Sequence, residues 1–154
     1  MPGIDECLLQ AMTLPGARGA ALVDWSSGLA LGTVGESPVG DHETTAAETA
    51  ELARAAAEYE SFASAGVPAD EPTFMSAVRG ADGGAAAAKG AAVPDGPPVE
   101  DLIVTTRTGY HVLRFVNTSF DSSVFLHLWL DRTEGNLALA RLRLRDLAEG
   151  LVLR

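Results

Sequence analysis

A chain of 154 residues, 47% hydrophobic and 21% charged, is long enough for one domain with a real core and too short for two of ordinary size. Its formal charge of -10, with no basic stripe, argues against nucleic acid or anionic membrane as partners. No apolar stretch approaches the roughly twenty residues of a membrane helix, and Met1-Pro2-Gly3-Ile4-Asp5 lacks the basic and apolar regions of a signal peptide, so a cytoplasmic protein without membrane insertion is expected.

Ile4, Leu8, Ala11 and Met12 recur at helical spacing, with Asp5 and Glu6 in the first turn where the helix dipole favours acids, and Pro15-Gly16 stops the helix. The lone Cys7 on this helix has no second Cys to pair with and reads as a small buried apolar residue. The small apolar run from Ala17 to Trp25, the turn residues Asp24-Trp25-Ser26-Ser27-Gly28 and a second run at Leu29 to Gly32 make a hairpin, with Trp25 packing across it.

The longest helical signal covers about Asp41 to Ser64, and Thr45 with Glu48 fits a capping box at its start. It carries two stripes. Leu52, Ala56, Tyr59 and Phe62 or Ala63 suit packing on a sheet, while Ala46, Ala50, Ala53 and Ala57 suit a close second helix, unless the alanines only reflect codon usage. Gly80 to Pro98 is Gly, Ala and Pro with almost no large apolar side chain, so a mobile, dispensable segment is expected there. Its Gly84 to Gly90 stretch is no phosphate-binding loop, because Ala88 precedes Lys89 and Gly90 follows it, where the motif needs Gly and then Ser or Thr.

Three runs follow: Asp101 to Arg107, Tyr110 to Val116 after a Thr108-Gly109 turn, and Val124 to Leu130. The last is apolar on both faces, as a central strand should be. Asp131 and Glu134 then suggest a cap, with Leu137, Ala140, Leu144, Leu147 and Leu151 as the buried stripe of a closing helix and Arg141, Arg143 and Arg145 on its solvated side.

Candidate chemistry is sparse. His111 and His127 fall in adjacent predicted strands and could share a face, but the apolar residues around them favour a buried histidine with a hydrogen-bond partner over a ligand or a general base. His42 has no companions for a metal, and the acids of the long helix are spread over its solvent side. No catalytic, cofactor or metal site is expected.

The order helix, hairpin, long helix, three strands, helix, with Gly19-Ala-Ala-Leu-Val-Asp24, Ser27-Gly28-Leu29, Leu130-Asp131-Arg132 and Asn136-Leu-Ala-Leu-Ala-Arg141, resembles the roadblock family, the dynein light-chain type domains. Tyr110-His111 and the Asp-Arg pair resemble the variant common in actinobacteria. The similarity spans residues 4 to 66 and 100 to 150, and the segment at about 67–99 departs from it as an insertion in a single domain.

The resemblance implies an α+β, profilin-like fold, a five-stranded antiparallel sheet with helices on both faces, and no catalytic centre. It also implies a homodimer whose sheets abut at the third strand while the long helices lie side by side. The residues expected at that interface are Ala46, Ala50, Ala53, Ala57, Leu102, Val104 and Thr106. As a function it implies a regulatory scaffold for a small Ras-like GTPase or a signalling partner. The alternative is a small-molecule sensor, which an apolar cavity near His111, His127 and Trp129 would favour.

Overall fold

The computed structural model describes residues 3–63, 98–116 and 123–152. The expected mobile segment falls almost entirely on residues 64–97, outside the described residues, as does most of the polar connection expected at Asn117 to Ser123.

The chain runs α1 (Ile4–Ala11), β1 (Ala17–Asp24), β2 (Leu29–Gly35), α2 (His42–Glu58), a short α3 (Glu60–Ala63), β3 (Asp101–Thr105), β4 (Gly109–Val116), β5 (Val124–Asp131) and α4 (Leu137–Val152). The strands form one antiparallel sheet in the order β2-β1-β5-β4-β3. β5 therefore lies at the centre, and seven of its eight residues are buried, as an apolar run flanked by strands on both sides requires. This is the α+β arrangement the sequence led us to expect.

Each strand alternates its side chains between two cores. On one face Leu22, Val112, Leu126, Leu128 and Leu130 meet Leu8 of α1 and Ala140, Leu144 and Ala148 of α4. α1 can lie close over β2 because Gly32 has no side chain: a Cβ there would come within 2.7 Å of Ile4 Cγ2. Cys7 is buried on this face, as expected. On the other face Ala21, Val23, Leu113, Phe115 and Phe125 meet Ala46, Ala50 and Ala53 of α2.

The two helix starts differ from the sequence reading. α2 begins at His42, and its cap is Asp41, whose Oδ1 accepts from the Glu43 N–H while Oδ2 accepts from the Thr44 hydroxyl. Thr45 is already inside the helix and buried, its hydroxyl 2.9 Å from that of Ser37, so no capping box forms there. An extended Asp immediately before the helix outcompetes a Thr whose side chain is enclosed. At the other helix, Asp131 caps only the turn, accepting from the N–H groups of Thr133 and Glu134, and Asn136 caps α4 by accepting from the Leu139 N–H. The long helix also ends early: Tyr59 is extended with ψ 132, separating α2 from α3.

Candidate interaction surface

The face assignment of α2 is the main correction. Ala46, Ala50 and Ala53 are 2%, 1% and 0% exposed against their own sheet, and Ala57 is half-buried beside them. Leu52, Tyr59 and Phe62, expected to pack on the sheet, are instead 41%, 61% and 50% exposed. Phe115, Phe125 and Leu113 project from the sheet, so only small helix side chains fit opposite them and the larger ones turn outward. Ala56 is the member of the expected sheet-facing stripe that is buried. The alanines therefore have no free surface to offer a second helix, whereas Leu52, Tyr59 and Phe62 do. Glu48, Glu51, Glu58 and Glu60, all exposed, surround that outward stripe.

β3 is a sheet edge, as its short, five-residue run and terminal place show. Leu102 joins the core on the α2 side and Ile103 joins the α1 and α4 side, so Leu102 and Val104 point to the same side of the sheet as α2. Both are half-buried. Thr106 lies beyond the strand. Its N–H donates to the Gly109 carbonyl and its hydroxyl oxygen accepts from the Gly109 N–H, so it closes the turn into β4 rather than lining the edge.

Next to this edge a row of rings runs across the face. His111 stacks on Trp129 at 6.1 Å between centroids, its Nδ1 lies 3.0 Å from His127 Nε2, and the Arg18 guanidinium sits 4.1 Å over Trp129. Glu36 holds Arg18 in place through a 3.2 Å ion pair. The two histidines share a face, as the sequence allowed, and the hydrogen-bond partner of each is the other. Burial pushes the His127 imidazole down to about 3, assisted by the charges His111 and His42 would carry, and burial lowers His111 as well. Both rings are neutral at neutral pH, and one donates to the other. Trp25 lies past the end of β1, not across the hairpin: it packs against the α2-side core while its carbonyl accepts from Arg54 Nη2, strapping α2 to the hairpin.

The Tyr110 and Asp131-Arg132 signature also acquires a structural role. Arg132 lies over the Tyr110 ring, and its Nη1 donates to the Thr106 carbonyl. These contacts lock the turns at one end of the sheet.

Among the described residues no group of three or more His, Cys, Asp or Glu is placed to hold a metal ion. A crevice lined by His42, His127, Trp129 and Glu36 has a volume of about 10 Å³, room for one water and not for a metabolite. A larger groove of about 200 Å³ lies elsewhere, between α1 and α4.

No protein-family model and no curated protein matches the chain. Solved structures do. Myxococcus xanthus MglB superposes with a TM-score of 0.63 at 16% identity, over 97% of this chain and 92% of that one. A Roadblock/LC7 domain from Streptomyces avermitilis gives 0.55 at 18% identity, over 97% and 94%. MglC from Myxococcus xanthus gives 0.52 at 20% identity, over 97% of both chains. The chain has the Roadblock/LC7 fold.

Proposed function

We propose that this chain is a non-catalytic, homodimeric regulatory scaffold that works with a small Ras-like GTPase. The observation that carries the reading is an apolar, acid-flanked stripe, Leu52, Tyr59 and Phe62, left outside a fully formed core on the same side of the sheet as the open edge β3. Monomers seldom leave several large apolar side chains exposed along one short segment unless something covers them. Strand pairing at β3 would satisfy the edge, through Leu102 and Val104, and bring two copies of α2 together through the outward stripe rather than through Ala46, Ala50, Ala53 and Ala57. The similarity to MglB and to a Roadblock/LC7 domain supports a regulatory role over an enzymatic one.

Light scattering at micromolar concentration should report twice the monomer mass, and a monomer would refute the dimer. Calorimetric titration against a Ras-like GTPase encoded beside this chain, in both nucleotide states, tests the partner. Binding in one state at low salt that weakens as salt rises would support it, and no binding in either state would reject it.

A further inference from the structure

The edge of the sheet opposite β3 is formed by β2, and it lacks the charges and prolines that often protect an edge. Its seven residues, Leu29-Ala-Leu-Gly-Thr-Val-Gly35, include no charge and no proline. Leu29 and Leu31 are 64% and 49% exposed. The Glu36 N–H donates to Arg18 O, which sets the alternation of the β1 ladder, so Gly35 and Thr33 turn their backbone groups away from β1. The His42 Nε2–H confirms the direction by donating to the Gly35 carbonyl from outside the sheet, at 3.1 Å. The N–H and C=O of Thr33 have no such partner among the described residues. Leu31 is the extra residue of the register shift opposite Leu22 and Val23, so the regular free edge runs from Gly32 to Gly35.

The surroundings are acidic. Asp5 on α1 lies beside Gly32, Asp24 stands at one end of the strand and Glu36 at the other, and the His42 contact brings Asp41 to that same end. Hydrogen bonds from the hydroxyls of Ser26 and Ser123 outweigh the upward push of burial and keep Asp24 ionised, and the Thr44 hydroxyl does the same for Asp41. Of the cations nearby, Arg18 is paired to Glu36 and stacked on Trp129, and Arg54, at the Asp24 end, is turned onto the Trp25 carbonyl.

We propose that the β2 edge docks an extended segment of a partner protein by strand addition, and that this segment carries apolar residues flanked by lysine or arginine. The open Thr33 backbone requires an extended chain, Leu29 and Leu31 give its side chains apolar ground, and the acidic rim selects positive flanks. A second copy of this chain is the poorer occupant, because its own β2 brings the same acids to the joint. The proposal goes beyond the scaffold reading and does not depend on it, since β3 lies at the far edge.

The test uses the full chain and a labelled peptide bearing the sequence Leu-Ala-Leu-Gly-Thr-Val-Gly between lysine pairs, with a glutamate-flanked version as control. Fluorescence anisotropy should show the lysine-flanked probe binding at least tenfold tighter, with amide NMR shifts confined to residues 29–36 and the facing ends of α1 and α2. Thr33→Pro removes the outward N–H without touching the β1 ladder and should weaken binding at least tenfold while circular dichroism stays unchanged. Leu31→Lys, at an exposed position, should do the same by repulsion, so a misfolded proline variant would still leave a test. Equal binding of the two probes, no binding, or shifts at β3 alone would overturn the proposal. So would native mass spectrometry showing copies joined through β2 in a manner abolished by Leu31→Lys.

Discussion

α4 seats Leu144 between Ala140 and Ala148 in the core, with Leu137, Leu147 and Leu151 packed around it, whereas α2, on the opposite face of the same sheet, buries only Thr45 and small alanines and leaves Leu52 outward. The difference lies in what the sheet offers each helix. Toward α4 the strands present mostly Val and Leu, which leave room for Leu144. Toward α2 they present Phe115, Phe125 and Leu113, and close packing then requires small partners. Hydrophobic size therefore does not identify the buried side of a helix when the opposing surface is already large. It also follows that Leu52 on α2, with Tyr59 and Phe62 just beyond its end, is surplus to the core.

The largest effect that would break this comparison is a charge on the inward side of α2. Ala53→Arg, at a position with no exposure, should cost on the order of 3–5 kcal/mol by forcing an unpaired charge into the core, and should abolish folding rather than merely release a dimer. A well-folded Ala53→Arg monomer by circular dichroism would show that the alanines face a partner after all. On the other face, Leu144→Ala should cost about 2–5 kcal/mol in urea denaturation, since it opens a cavity beneath α4.

The histidine pair sharpens the contrast through pH. His127 titrates near 3 in the folded chain, below the unfolded value of about 6.5, so the unfolded state takes up the proton first. Its contribution to stability is complete above pH 6.5 and is lost as the pH falls, at up to about 1.4 kcal/mol per unit between 6.5 and 3. His127→Gln should flatten that part of the stability curve, and an unchanged slope would place the acid sensitivity elsewhere. The smallest expected effect on folding is at the outward stripe. Leu52→Ser with Tyr59→Ser should change stability measured at high dilution by no more than about 0.5 kcal/mol per site, yet shift the light-scattering mass toward monomer.

Much of the candidate surface was legible before any coordinates. Alternation and turn residues marked Leu102 and Val104 as a strand, the family resemblance implied its place at the edge, and the double-sided apolar run of Val124 to Leu130 marked the central strand. The spacing of His111 and His127 in neighbouring strands brought them to one face, where they meet. Thr106 was misplaced because its hydroxyl serves the turn to Gly109, a local hydrogen bond that competes with strand pairing. The Thr45 cap was misplaced for a similar reason, since Asp41 offered a better oxygen one turn earlier.

By itself the sequence determined the element order, the antiparallel sheet and the inward stripe of α4, because period-2 and period-3.6 patterns of large apolar residues have a single economical way to be buried. Only the tertiary structure decided which side of α2 is inside, that its leucine and aromatic side chains remain in water, and that β2 keeps an uncharged free edge. Alanine gives almost no periodic contrast against polar neighbours, and the burial of such a helix is set by the size of the side chains that another part of the chain places opposite it.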